Sequence, residues 1–492
     1  MRFQVFKNGQ VVQKFNVCGA YIFGTDGTSI RRAKIVFEDG CVSTQKPNNE
    51  TAGLTLLWPV EGFGRILLST TCLPERERPY CLNLEIARAR LMQTISRREE
   101  WSLFEGASEL EEISHQAHDL FVKAVQTIHD PAKASVLADN SLRKAMVFSE
   151  KLATTQAEAM FKQRLKGPGF GRACIGIQTE PSLIDDTDYV ERLAQVGDVA
   201  LVPMPWRDIE KQDGVFDFDL VDQCVETLSQ NKMLLGAGPL LCFSQESLPK
   251  WLLRSRINFE KVRELAYRFV TTVVSRYRRK IHRWFIISGL NATNHLGFSV
   301  EQVLEMTRAA NMAVKAVNSR AFKIIEVVDC WGEYYATTPN SIAPVAYMDM
   351  VIQSGIAFEA FALRMRFGKD ETGMHIRDMM QISSRLDYFS LLGKSLYISG
   401  VEIPSENGSG PWEGRVAGVW HNQWDSKRQA LWLDQFYGIV LSKPVVDAVV
   451  YGNLSDTDHS AIANSGLVTK AFEPKDGYRA VRRLREMIRN QS

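Results

Sequence analysis

From residue 173 onward, short apolar or β-branched runs alternate with longer amphipathic ones. The short runs are ACIGIQ (173–178), ALVPM (200–204), MLLGAGPLL (233–241), RWFIISGL (283–290), KIIEVVDC (323–330), FEAFALRM (358–365), SLYISGVE (395–402) and VVDAVVYGN (445–453). Each has the length and composition of a buried strand. The stretches between them, such as FEKVRELAYRFVTTVVSRYRR from Phe259 and SVEQVLEMTRAANMAVKAV from Ser299, carry the helical period. Eight strand–helix units over residues 173–488 predict an α/β fold, a (β/α)8 barrel, with its chemistry on the loops after the strands.

The two upstream regions have other periods. Residues 1–78 alternate apolar and polar positions around Asn8-Gly9 and Asp39-Gly40. Both dipeptides tolerate the positive φ of a tight hairpin, so a small antiparallel sandwich is expected. It is either a carbohydrate-binding module or a packing domain. Residues 82–166 are rich in Ala, Leu, Glu, Arg, Lys and Gln, with one glycine (Gly106) and one proline (Pro131). Three helices are expected, the last starting at Pro131, since proline suits a first helical turn. They are candidates for homo-oligomer formation or for packing on a neighbouring domain. GPGFGR (167–172) follows a helix rather than a strand, so it lacks the context of a dinucleotide loop and reads as a linker.

Composition narrows the classes. The chain has 492 residues, of which 45% are hydrophobic and 24% charged, and a net charge of +2. That is an ordinary soluble protein with no basic excess to suggest nucleic acid. No apolar run reaches the roughly 18 residues of a membrane span, and the start shows no signal peptide. None of the eight cysteines forms a CxxC pair. A zinc site of the usual spacing is not expected, and free thiols in a reducing cytoplasm are.

Several segments then acquire meaning together. WRDIEKQDGVFDFDLVD (206–222), SQESLPKW (244–251), RWFIISGLNA (283–292), SLYISGVE (395–402) and GLVTKAFEPKDGYRAV (466–481) follow one another in an order and spacing that resembles glycoside hydrolase family 10, the endo-1,4-β-xylanases. The resemblance implies a barrel that binds carbohydrate and needs no cofactor. It also implies an acid/base glutamate at the end of strand 4 and a nucleophilic glutamate on strand 7. Those places hold Gly289 and Gly400. A retaining glycosidase needs two carboxyls about 5–5.5 Å apart, and glycine supplies neither. General acid–base help is worth about 3–5 kcal/mol of barrier, and without the nucleophile the covalent route is closed. Other family positions differ too: Leu201, Val202 and Pro205 at strand 2, Gly238 and Cys242 at strand 3, Arg364 to Arg366 at strand 6, and Tyr451 at strand 8.

Substitute residues are available. Strand alternation puts Glu402 on the side of Gly400, and Asn291 on the side of Gly289. Asp329 ends strand 5, with Trp331 and Glu333 just beyond. Asp329 and Glu402 are candidate catalytic carboxylates for an inverting geometry of about 6.5–9.5 Å. The alternative is that Asp329 caps a loop and Glu402 pairs with an arginine. Trp206, Asn291, Trp331, Glu333, Arg364, Arg366 and Tyr451 are candidate substrate contacts. The arginines suit an anionic glycan or a sugar phosphate, unless they are ion-paired to Glu402 or Asp329. PWEGRVAGVWHNQW (411–424) brings Trp412, Trp420 and Trp424, which stack on sugars or pack their own loop. His375, His421 and His459 are scattered, and no metal site is expected. Three functions stand open: a carbohydrate-binding barrel without conventional hydrolysis, a glycan hydrolase on relocated carboxylates, and an intracellular scaffold.

Overall fold

A computed structural model describes residues 1–492 except 102–106, 168, 256, 408–416, 459 and 491–492. Both expected hairpins form. Phe6–Lys7 pairs with Gln10–Val11 across Asn8 and Gly9, at φ 52° and 76°. Lys34–Glu38 pairs with Cys41–Gln45 across Asp39 and Gly40, at φ 49° and 72°. The first hairpin stands as its own two-stranded sheet, beside two four-stranded sheets. One orders Lys34–Glu38, Cys41–Gln45, Arg2–Gln4 and Tyr80–Cys81. In the other, Tyr21–Phe23 pairs with Gly53–Val60, which pairs with Gly64–Ser69, and the last strand, Val419–Trp420, comes from the far end of the chain.

Three helices follow: α1 (Leu82–Glu100), α2 (Ala107–Gln126) and α3 (Pro131–Lys166). Pro131 occupies the first turn of α3, and Asp130 caps it by accepting from the Lys133 amide at 3.3 Å. Helix α3 packs on α1 and α2 and along the barrel wall.

The barrel strands are β1 (Ile175–Gln178), β2 (Val199–Val202), β3 (Leu234–Ala237, continuing at Leu241–Cys242), β4 (Arg283–Ser288), β5 (Phe322–Val327), β6 (Ala360–Arg366), β7 (Ser395–Glu402) and β8 (Val446–Tyr451). All pair in parallel with their neighbours, and β8 closes on β1. Leu201, Phe285, Ile324, Ala362, Tyr397 and Val450 belong to a separate apolar cluster contributed by six of these strands. These are the inward positions, and they fill the barrel with side chains. The wall helices are α4 (Thr187–Val196), α5 (Asp219–Gln230), α6 (Phe259–Tyr277), α7 (Val300–Val317), α8 (Pro344–Gln353), α9 (Met379–Ser390), α10 (Ser426–Ser442) and α11 (Asp476–Arg489).

The N-terminal sandwich lies against the loops that leave β5, β6 and β7. Ser29 Oγ donates to Gly332 O at 2.7 Å, and Arg31 Nη2 donates to Ser341 O at 2.6 Å. The Leu67 amide donates to Ile376 O at 2.9 Å. Arg90 of α1 and Asp378, both buried, form an ion pair at 2.5 Å. The sandwich therefore leans on the face of the barrel where a site is expected.

Candidate functional site

Two glycines set the backbone of the mouth. Gly289, just past β4, has φ 74°, and Gly400, inside β7, has φ 56°. Both lie in the left-handed region, where a side chain is strained. A Cβ on Gly289 would sit 2.8 Å from Thr293 Oγ1, and one on Gly400 would sit 3.2 Å from Arg364 Cγ. Gly400 also marks a bulge: Ile398 pairs with Val449 and Val401 with Tyr451, so two residues of β7 oppose one of β8. This corrects the alternation argument for Glu402. The bulge breaks the period of two, so Glu402 does not take over the direction of Gly400.

Below the glycines the interior is polar. Counting up from Ile324, Ala362 and Tyr397, the next inward positions are Glu326, Arg364 and Ser399. Glu326 is 4% exposed and accepts from three groups. Ser288 Oγ and Ser399 Oγ donate to it at 2.5 Å each, and Arg364 Nη2 closes an ion pair. Burial pushes the Glu326 carboxyl up, but the Arg364 charge and the hydroxyls outweigh it and hold it below the usual range. The Arg364 stem lies across Gly400, as the Cβ contact shows. No candidate role was given to Glu326 from the sequence. Its signal was there: a lone carboxylate at an inward position of an otherwise apolar strand requires a partner.

Glu402 is 1% exposed and turned toward the β8 loop. Arg366 Nε lies 2.9 Å from its Oε1, and the Ile462 amide donates to its Oε2 at 3.0 Å. Of the two alternatives open for the mouth arginines, the structure shows the ion-paired one: Arg366 pairs with Glu402, while Arg364 pairs with Glu326 rather than with Glu402 or Asp329. Each carboxylate needs its guanidinium, because an uncompensated buried charge is costly.

Asp329 begins a second cluster. It has φ 44°, and its Oδ2 accepts from the Tyr334 amide at 3.4 Å, so it caps the β5 loop. Its Oδ1 is buried without a hydrogen-bond partner. Burial first, and then the neighbouring Glu333 charge, push its carboxyl up to about 7. Glu333 is held by an ion pair with Arg377 and by the Gly373 amide at 2.7 Å. Burial raises that carboxyl, but Arg377 outweighs it, and the net direction is down. His375 bridges outward. Its Nδ1 lies 3.6 Å from Glu333, its Nε2 is 3.2 Å from Asp370, and Asp370 accepts from the Cys18 thiol of the sandwich at 3.2 Å.

The aromatic and amide candidates are committed to packing. Trp206 is 1% exposed, stacks on Phe269 and donates to Glu210 at 2.7 Å. Asn291 is fully buried and staples two loops, donating to Val328 O at 2.8 Å and meeting the Tyr334 hydroxyl at 2.6 Å. Tyr451 donates to Ser465 O at 2.6 Å from full burial. Trp331 is 5% exposed and lies under Arg377, whose guanidinium carbon is 4.0 Å from the ring centre. Trp420 and Trp424 are buried, Trp420 within the added sheet strand, which is the packing alternative rather than sugar stacking. Trp412 and His459 lie outside the described residues.

Residues 188–306 match the profile of Glycosyl hydrolase family 10. Endo-1,4-beta-xylanase 3 of Hypocrea jecorina is 26% identical over 166 residues, covering 33% of this chain and 45% of its own length. This chain therefore spans less than half of that relative. Endo-1,4-beta-xylanase B of Thermotoga neapolitana is 21% identical over 291 residues, covering 58% of this chain and 78% of its own. Among solved structures, native xylanase 10B from Thermotoga maritima superposes with a TM-score of 0.51 at 18% identity, over 67% of this chain and 98% of that one. Xylanase 10B from Thermotoga petrophila RKU-1, solved with xylobiose, gives 0.50 at 17% identity, over 68% and 97%.

Proposed function

We propose, from a barrel that is xylanase-like in the manner of glycoside hydrolase family 10, that this protein binds carbohydrate and does not hydrolyse it by the retaining route. One observation carries the reading. The inward layer beneath the two left-handed glycines is filled by the Glu326–Arg364 pair and its serines, with the Arg364 stem against Gly400. A retaining mechanism needs one carboxyl free to attack and another free to protonate. Glu326 and Glu402 are both held by arginines instead.

Eight free cysteines fit a reducing compartment such as the cytoplasm. No helix among the described residues is long and apolar enough to cross a membrane.

A second reading, hydrolysis on relocated carboxylates, draws on the opposite shifts of Asp329 and Glu333. Such a split is how acid and base are told apart in glycosidases. Against it, Asp329 Oδ1 is sealed and Glu333 is locked to Arg377.

The test is a paired assay. Purified protein should retain xylo-oligosaccharides in affinity electrophoresis and release no reducing sugar from xylan or an aryl-xylobioside above a heat-killed control. Turnover that Asp329→Asn or Glu402→Gln abolishes would replace the first reading with the second. Absence of both binding and turnover would leave the scaffold as the function.

A further inference from the structure

A cleft of about 1070 Å³ runs between helix α1, helix α9 and the edge of the N-terminal sandwich, outside the barrel mouth. Its walls are the two helix faces that the periodicity brings opposite one another. Helix α9 presents Gln381, Ser384, Arg385 and Tyr388, spaced three and four apart. Helix α1 presents Gln93 and Ser96, with Arg97 beside them. Trp331 and Arg377 line it from the barrel side.

Charge does not close around this cleft. Arg377 has Glu333. Arg97 has Glu100 at 2.5 Å. Arg385 makes no hydrogen bond or ion pair among the described residues, and three aromatic rings stand around it. Its guanidinium carbon lies 5.3 Å from the Trp331 ring centre, 5.9 Å from Phe389 and 6.0 Å from Tyr388. The other carboxylates on the cleft are turned elsewhere: Asp26 accepts from the Thr28 amide at 2.9 Å, and Asp349 accepts from Gln353 at 2.6 Å. An arginine shielded by rings and lacking a carboxylate keeps its five donors for something else. Burial and the neighbouring Arg377 charge both disfavour its cation, so an anion placed there would relieve a cost the fold already carries.

We propose that this cleft is a binding site for an oxyanion carried on a hydroxyl-rich molecule, an acidic sugar, with Arg385 as the anion-gripping residue. A guanidinium among aromatic rings supplies a flat fork for a carboxylate or phosphate. The amides and hydroxyls of Gln93, Ser96, Gln381 and Ser384 supply partners for sugar hydroxyls, and the volume exceeds what a lone ion needs. The site is separate from the barrel mouth, so it stands or falls independently of whether the mouth binds xylan.

Calorimetric titration with D-glucuronate, glucose 6-phosphate, inorganic phosphate and glucose tests it, in wild type, Arg385→Gln and Arg385→Lys. Expected is binding of at least one acidic sugar, weakened by about tenfold or more in Arg385→Gln and only partly in Arg385→Lys, with weaker binding of glucose. Glucuronate alone or the sugar phosphate alone would identify which oxyanion is meant. Equal affinity in wild type and Arg385→Gln would overturn the proposal. So would inorganic phosphate binding as tightly as both sugars, which would mark an ion site only, or no binding of either acidic sugar. Ser384→Trp, which adds bulk to the cleft and keeps the guanidinium, should abolish binding while far-ultraviolet dichroism and an unchanged melting temperature report an intact fold.

Discussion

Arg364 and Arg366 stand on β6 within the barrel, and each is matched by its own carboxylate, Glu326 or Glu402. Arg377 and Arg385 stand outside it, on the β6 loop and helix α9, and among the described residues only Arg377 is matched, by Glu333. In sequence the first pair looks like the ligand site, because two arginines two apart on a strand share a face. In space that pair is part of the barrel's packing, and the odd cation of the second pair is the one with donors to spare. A guanidinium gains a function when the fold brings it a cavity and withholds a carboxylate.

The sharpest way to break this contrast is at the inner pair. Glu326→Ala should destabilise by about 3–5 kcal/mol in urea unfolding, since it leaves Arg364 buried and uncompensated. Glu326→Met combined with Arg364→Met should recover most of that loss, because apolar replacement of a buried pair is often close to neutral. A small effect of the single change would mean that Arg364 is a solvated ligand arginine after all.

Asp329 comes next. Its folded carboxyl is raised to about 7 against an ordinary value near 3.9. The fold therefore holds a proton that the unfolded chain releases, and stability falls as pH rises from about 4 to about 7. Asp329→Asn keeps the acceptor for the Tyr334 amide and suits a positive φ. It should raise stability at pH 8 by roughly 1–3 kcal/mol and flatten the slope across that window. Unchanged melting at pH 8 would show the carboxyl to be solvated.

His375 gives a smaller effect with a different window. Burial lowers its pKa, but Glu333 and Asp370 outweigh that and raise it. Its contribution is full below the unfolded value near 6.5 and is lost as pH climbs through the folded value. His375→Gln should remove that loss, and the change should show first in protection of the Cys18 thiol, whose acceptor is Asp370. Faster alkylation of Cys18 in wild type at pH 9 than at pH 6, beyond what thiolate fraction explains, is the expected readout.

The smallest effect is expected at Arg385. With no ion pair to lose and a cation that burial already disfavours, Arg385→Gln should leave unfolding in ligand-free buffer equal to wild type or slightly more stable, never less. A loss as large as that of Glu326→Ala would erase the difference between the two arginine pairs.

The sequence disclosed what local periodicity controls. Eight apolar runs became eight barrel strands, and Asn8-Gly9, Asp39-Gly40 and Pro131 each did what backbone sterics demand. It did not disclose pairing. Which carboxylate meets Arg364 depends on strand register and on the bulge at Gly400, and an extra residue in β7 has no local signature beyond the glycine itself. Arg385, on a helix, reads in sequence as one more solvated charge. Only the N-terminal sandwich and α1, folded back over the barrel, turn that face into a wall. Glu326 is the exception, because a carboxylate at an inward position of an apolar strand demands a partner from sequence alone.

One sheet has an unusual calendar. The strand Gly64–Ser69 is flanked on its outer side by Val419–Trp420, with Arg65 facing Val419. About 350 residues separate the two. At roughly 5–20 residues per second, a ribosome needs about 20–70 seconds to deliver the second after the first. Throughout that interval the Gly64–Arg65 end of the strand keeps one hydrogen-bonding edge open, even after the Leu67 amide has found Ile376 O. Anything that slows translation in the barrel region lengthens the exposure, and a message truncated before codon 419 never ends it.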